Sequence, residues 1–312
     1  MEQHGPGPAR IAPLPMENED MMTPESPAQR VERLVRNKAM VDGVRLAQAQ
    51  VVLERSRRAC PDIWSDQQPL ISVRIATYNR PQLLVERAIA SVFAQTYRNF
   101  EIVVVGDHAV PETAEAIERL NDPRVRYHNL PTRPAYPTFP RFFWMTAGSH
   151  AMTEALDRCR GDWIAPLDDD DEFSPDHLEA LLQAARERQL EMVYGVLDSQ
   201  MPGDQWAPIG REPLVCGGIC HASVLFHRRL AVLRHDPDCW LLDEPGDWNL
   251  WKRMAMAGGR IGFVDRVVGR HYAEFSSVDP VERQRLFEKQ PTPEEVLTDA
   301  AATGAAALLD LA

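Results

Sequence analysis

Apolar residues recur near helical spacing between positions 31 and 58. Val31, Leu34, Val35, Val41, Val44, Val51 and Val52 stand among charged residues. This pattern predicts one or two helices packed on the main body. The pattern then changes. Leu70-Ile-Ser-Val-Arg-Ile75 reads as a strand, and Phe100-Glu-Ile-Val-Val-Val105 is a nearly continuous apolar run, as in a buried parallel strand. Between them Pro81 opens a helix, where its fixed φ and missing donor are tolerated. Leu84, Val85, Ala88, Ile89, Val92 and Phe93 form that helix's apolar face. A helix over residues 112–120 and a third strand over 124–128 follow. The alternation predicts an α/β domain with a largely parallel sheet flanked by helices.

Prolines at 131, 134, 137 and 140 then exclude helix and disfavour strand, so a stiff extended loop is expected over 131–140. Helix resumes over 148–160. Asp162-Trp-Ile-Ala-Pro-Leu167 is a short strand that runs straight into Asp168-Asp-Asp-Asp171. Helices are expected over 175–188 and 247–257, and strands over 192–196 and 261–268. Residues 1–29 hold six prolines and few large apolar groups, which reads as a disordered tail. The divisions are this tail, a helical extension over 30–66, the α/β domain over 67–275 and a helical tail over 276–312.

The chain of 312 residues carries 34 basic and 46 acidic side chains, a formal net charge of −12. That balance argues against a nucleic-acid binder, which normally presents a basic face. A nucleotide ligand is still allowed, because a divalent cation can bridge carboxylates to phosphates. No apolar run reaches ~18 residues, so no membrane span is expected. The first 18 residues lack the apolar core of a signal peptide. Five scattered cysteines fit reduced thiols and a cytoplasmic protein rather than a disulfide scaffold.

The acidic run 168–171, extended by Glu172, changes the picture most. It follows an apolar strand, where open α/β sheets place their ligands. Adjacent side chains leave an extended backbone in different directions, so only one or two reach a given cation. Oxygen ligands of this kind suit Mg²⁺ or Mn²⁺, which keep positions open for substrate phosphates. A charged turn is the bland alternative. An EF-hand is not indicated, since the D-x-D-x-D-G ladder is missing.

With these residues in view, positions 69–271 resemble family 2 of the glycosyltransferases, which has the GT-A fold. The resemblance rests on an ordered series. It comprises Ile71-Ser-Val-Arg-Ile-Ala-Thr-Tyr-Asn-Arg-Pro81, Ser91-Val-Phe-Ala-Gln-Thr-Tyr97, Phe100-Glu-Ile-Val-Val-Val-Gly-Asp107, Asp168 to Asp171, Gly246-Asp247-Trp248 and His271. Among members it is close to the spore-coat polysaccharide type, through Asn121-Asp-Pro-Arg-Val-Arg126 and Ser223-Val-Leu-Phe-His-Arg228.

The resemblance implies a GT-A-like, Rossmann-type domain and a metal-dependent inverting transferase using a nucleotide-diphosphate sugar, with UDP-sugar favoured. It implies nucleotide or donor contacts at Thr77, Tyr78, Asp107, Asp168 and Asp169. It places the metal on Asp170 and His271 and makes Asp247 the catalytic base. Each role competes with a structural one: a buried aromatic at 78, a turn cap at 107, a helix N-cap at 247, a satisfied histidine at 271. A helix N-terminus would also hold the Asp247 pKa down, making it a weak base until desolvated.

The family usually has Glu before the base, and here stands Gly246, so Glu244 is a substitute candidate. Met152 and Thr153 replace a usual Arg-Asn pair. Cys216-Gly-Gly-Ile-Cys-His221 lacks a second ligand pair for zinc and reads better as a Gly-rich loop under the acceptor. Trp240, Trp248 and Trp251 surround the base region and fit either sugar stacking or core packing. Acceptor loops are expected over 131–144 and 199–221, with the acceptor undefined. The extensions could dock a second protomer. A sugar-nucleotide nucleotidyltransferase or a non-catalytic nucleotide-sugar-binding module are the other readings. The first lacks its Gly-rich basic loop after the first strand.

Overall fold

The computed structural model describes residues 24–201, 203, 205–273 and 288–311. Most of the expected tail over 1–29, and residues 274–287 of the C-terminal segment, lie outside them. Helix α1 (Pro27–Ala59) starts three residues before the expected boundary and is one helix of 33 residues, not two. Ser26 caps it, its Oγ accepting from the Gln29 N–H, and Pro27 occupies the first turn. Among the described residues no helix is long and apolar enough to cross a membrane.

Four parallel strands form one half of the sheet. They are β1 (Ile71–Thr77), β2 (Phe100–Gly106), β3 (Val125–Asn129) and β4 (Trp163–Asp168), in the order β3-β2-β1-β4. The buried apolar runs at 71–77 and 100–106 explain their central places. Beyond β4 the sheet turns mixed. There β5 (Glu172–Phe173), β6 (Met192–Met201), β7 (Gln205–Ile209), β8 (Val224–His227) and β9 (Ile261–His271) continue it in the order β4-β8-β6-β9-β5, with β7 hairpinned onto β6. Only the β6–β9 pair is parallel there. Strands β5, β7 and β8 were not expected: they are two to five residues long, too short to show a period.

Helices cover both faces. The expected helix after β1 runs from α2 (Pro81–Leu83) through a π-helical turn at Leu84–Ile89 into α3 (Ala90–Phe93). Next come α4 (Pro111–Glu118), α5 (Pro140–Thr146), α6 (Ser149–Arg158), α7 (His177–Glu187) and α8 (Gly246–Met256). The proline-rich loop is neither helix nor strand over 131–139, as expected, but its last proline opens α5 as a first-turn residue.

The first and last described helical elements meet. Helix α9 (Pro293–Thr303) and the 3₁₀ turn Ala305–Asp310 pack on α1. Leu34 is buried with Val296, Ala300 and Leu309, and the same core holds Phe139, Phe142, Met145 and Trp240. Arg33 and Asn37 donate to the Leu309 and Leu308 carbonyls at 2.7 Å each. The Asp299 carboxylate accepts from Thr138 N (2.7 Å), Thr138 Oγ1 (2.7 Å) and Phe139 N (3.0 Å). The extensions therefore brace α5.

At its other end α1 is clasped by a buried carboxylate. Glu191, fully buried, accepts from Arg57 Nε (2.9 Å) and Nη2 (2.6 Å), Arg229 Nη1 (3.0 Å) and Arg260 N (3.0 Å).

Candidate active site

The C-terminal ends of β1, β2 and β4 lie side by side, with Thr77 opposite Gly106 and Ala76 opposite Asp168. Two adjoining pockets open there, of about 380 and 210 Å³. They share Trp144, Ala147, Met152 and Asp168. The larger is lined by Thr77, Tyr78, Asp107, Asp168, Asp169 and Asp170, together with Arg80 and Arg133. The smaller contains Asp247, Ser149, His221 and His235. His271 lines neither.

In the larger pocket the Arg133 guanidinium lies 3.9 Å over the Tyr78 ring and 3.5 Å from Asp107 Oδ2. Asp107 is buried, and its Oδ1 has no hydrogen-bond partner among the described residues. It is an acceptor oriented by the strand end rather than a turn cap. Tyr78 is 40% exposed, so it is not a core aromatic. Arg133 came from the proline-rich loop and was not singled out from sequence, since nothing in Thr-Arg-Pro marks a ligand contact.

The four adjacent carboxylates have four different fates. Asp168 accepts from His221 Nδ1 at 2.9 Å; burial would raise its carboxyl, but His221 outweighs burial and holds it low. Asp169 accepts from Thr77 Oγ1 (2.7 Å) and Tyr78 N (3.4 Å), which fixes the turn after β1; burial raises it. Asp171 holds His271 Nδ1 at 3.1 Å and Tyr272 N at 3.0 Å. That contact pushes His271 up to about 9.

Asp170 faces the pocket against Arg80 Nη1. Burial and the crowding of Asp168, Asp169 and Asp171 push its carboxyl up to about 7, because like charges disfavour ionisation. Such a carboxylate is stabilised by any added cation. The donors here are all oxygen, which suits Mg²⁺ or Mn²⁺. No three His, Cys, Asp or Glu side chains converge on one point among the described residues. The protein would supply one or two ligands, and phosphates and water the others, as hard cations at nucleotide sites commonly accept.

Asp247 is the second residue of α8, whose N-cap position is Pro245, so Asp247 is not the N-cap. Its Oδ1 accepts from Trp248 N at 2.7 Å. Desolvation removes the depression expected of a helix N-terminus: burial raises the Asp247 carboxyl and outweighs the opposing Trp248 N–H. A raised carboxylate is a stronger base. Glu244, the substitute candidate, lies outside this pocket. Glu244 is tied to Lys252 and to Asn249 Nδ2 (2.8 Å) and lines a separate pocket between α1 and α8.

The glycine before Asp247 has a steric reason. A Cβ at Gly246 would lie 2.8 Å from the Met145 carbonyl oxygen, which is backbone and cannot step aside. Gly246→Ala is therefore expected to cost ~1–3 kcal/mol of stability through overpacking. It should also lower turnover by moving Asp247, with nucleotide affinity unchanged. Denaturant unfolding and steady-state rates would check this, and wild-type values for both would refute the steric account.

Behind the two pockets lies Arg74 of β1, fully buried. Its Nη2 reaches His221 Nε2 (3.2 Å) and His235 Nε2 (2.9 Å). A guanidinium only donates, so both Nε2 atoms accept and both protons sit on Nδ1. His221 then donates to Asp168. The Nδ1 of His235 lies on the Gly246 side of the smaller pocket, 3.8 Å from where a Cβ there would be. Ser149, at the start of α6, adds a buried hydroxyl without a partner among the described residues. None of this was legible beforehand, because the partners are 53 to 161 positions apart.

The remaining sequence candidates separate clearly. Trp240 and Trp251 are core residues, and Trp248 is half-buried against the core. Trp144, 52% exposed, is the tryptophan that lines both pockets. From the Cys216–His221 loop only His221 enters the pocket, and it is committed to Asp168 and Arg74.

Comparison with known proteins agrees with this geometry. The family model "Glycosyl transferase family 2" matches residues 72–136 and 145–235, half of the chain. Protein CgeD of Bacillus subtilis is 32% identical over 201 residues, covering 59% of this chain and 46% of that protein. The chain spans less than half the length of the curated relatives it matches. Among solved structures, S. aureus TarS 1-349 in complex with UDP-GlcNAc aligns with a TM-score of 0.54 at 16% identity, over 76% of this chain and 66% of that one. The mannosyltransferase PcManGT from Pyrobaculum calidifontis, in complex with GDP-Man and Mn²⁺, gives 0.51 at 16% identity, over 90% and 85%. At that identity the likeness is one of fold, and the fold is that of the GT-A glycosyltransferases.

Proposed function

The chain belongs to glycosyl transferase family 2, and from that premise we propose that it moves a sugar from a UDP-sugar to a hydroxyl acceptor by one inverting displacement. The observation that carries this reading is the pair of adjoining pockets, with carboxylate-rich strand ends in one and the isolated, raised Asp247 in the other.

The larger pocket takes the nucleotide. Tyr78 and Arg133 offer flat faces to a base, and the unpaired Asp107 Oδ1 accepts an imino N–H such as that of uracil. Asp169 keeps the β1 turn in place and Asp168 orients the donor sugar. Asp170 holds a divalent cation, and His271 stands behind it through Asp171. The cation would neutralise charge on the departing diphosphate.

The acceptor enters the smaller pocket. Its volume equals about seven waters, at ~30 Å³ each, which is room for one sugar ring. His235 Nδ1–H and Ser149 Oγ–H bind its oxygens. Asp247 takes the proton of the attacking hydroxyl, the new bond forms at the anomeric carbon, and the electron pair of the old bond leaves with the nucleoside diphosphate. Direct attack accounts for inversion. A double displacement would need a second nucleophile.

A thermal-shift series with UDP and GDP, with and without Mn²⁺, tests the donor reading. At a hundredfold excess over Kd the ligand adds ~2.7 kcal/mol of stability. UDP with Mn²⁺ is expected to shift the wild type, and Asp170→Asn to lose the Mn²⁺-dependent part alone. No shift with any nucleotide would sink the proposal. A non-catalytic module would bind UDP and show no turnover with any acceptor.

A further inference from the structure

The outward face of α1 has no role in the site or the core. Its inner face buries Leu34, Ala49 and Leu53. On the opposite side Met40, Val44 and Val51 are each half-exposed or more. Their spacing of four and seven puts them on one line along the helix. Arg36 precedes this line, and Arg55 and Arg58 follow it, all exposed and without an ion pair among the described residues. From Arg36 to Arg58 the face is about 33 Å long at 1.5 Å per residue.

Charge sets this helix apart from the rest of the chain. Residues 27–59 hold eight Lys and Arg against three Asp and Glu, a net +5 in a chain of −12. The rest of the chain therefore carries −17. Isolated exposed apolar residues need no explanation, but an apolar line ended by unpaired arginines on an otherwise acidic protein does.

We propose that this face docks α1 flat on an anionic phospholipid surface. Basic amphipathic helices bind that way, apolar side chains entering the headgroup boundary and arginines meeting lipid phosphates. A second copy fits poorly, since two such faces present like charges to each other. Nucleic acid would pair the arginines but leave the apolar line without a partner. The −17 remainder is repelled by an anionic leaflet, so the protein would approach helix first. The helix lies on the surface and does not span it.

The full chain should co-sediment with vesicles containing about one-third phosphatidylglycerol, and not with pure phosphatidylcholine vesicles. Binding should weaken as salt is raised. Each basic residue near such a surface contributes about a fivefold gain, so R36Q/R55Q/R58Q should weaken binding roughly a hundredfold. V44S/V51S should weaken it at constant charge, which separates lipid insertion from charge attraction. Both variants alter exposed residues only, and an unchanged Tm and circular-dichroism spectrum would show that they fold. Absence of binding to anionic vesicles overturns the proposal, as does equal binding to both vesicle types. A dimer abolished by V44S/V51S would assign the face to a second copy, and oligonucleotide binding lost in the triple variant would assign it to nucleic acid. No arm requires a sugar donor, so the outcome is independent of the transferase reading.

Discussion

Asp247→Asn is expected to lower kcat by about 10²–10⁴ while the UDP–Mn²⁺ affinity stays within twofold, since a positioned general base contributes that much. The substitution keeps the shape and the bond from Trp248 N but cannot take a proton. The pH profile should change with it. Burial raises the Asp247 carboxyl above its ordinary 3.8, and the base acts only when ionised. Wild-type turnover should therefore rise with pH along a limb lying above 3.8, and that limb should vanish in the variant. Steady-state rates across pH, with donor binding measured separately, provide the check. Turnover within tenfold of wild type would remove Asp247 from the mechanism.

Glu191→Gln should have the largest effect on stability, about 3–5 kcal/mol, because it leaves the buried Arg229 and the partly buried Arg57 without their counter-charge. The expected fall in Tm is on the order of 10 °C. Burial alone would raise the Glu191 carboxyl, but bonds from Arg57, the Arg260 N–H and Arg229 outweigh it and hold it at about 2, against 4.5 when unfolded. The folded state thus favours the ionised form. The stabilisation is fully present above pH 4.5 and is lost as pH falls from there toward 2. It amounts to about 3 kcal/mol at ~1.4 kcal/mol per pH unit. Urea unfolding of both proteins at pH 7 and pH 3 should show the wild type losing stability on acidification and the variant losing less. Equal losses would mean that Glu191 does not anchor α1.

The parallel half of the fold was legible because β1, β2 and β4 are buried on both faces and so are mostly apolar, with few polar positions between. The mixed half was not. Strand β8 has four residues, and β7 carries Pro208, which suits only an edge. At the site, residues at strand ends could be named from sequence, since the fold puts such ends together. Residues brought in by side-chain reach could not. Arg74 reads as one more polar position in a strand, and nothing local ties it to His221 or His235. Asp247 was found by motif, but the sign of its pKa shift was not, because the helix dipole is local and burial is not. Glu244 looked equivalent to Asp247 three positions away, and only the turn into α8 separates the two pockets.

The core that joins Leu34 to Val296 and Leu309 has a kinetic side. The bonds from Asn37 and Arg33 to the last 3₁₀ turn close loops of 271 and 276 residues. During synthesis these partners of α1 appear 271 residues after it. At ~5–20 residues per second that is an interval of at least ~13 s before this part of the core can close. The α5 wall of the cleft, held by Asp299, is therefore the last part of the site to become rigid. The final shape of the cleft thus depends on docking of α9, a contact distant in sequence from every strand of the parallel half.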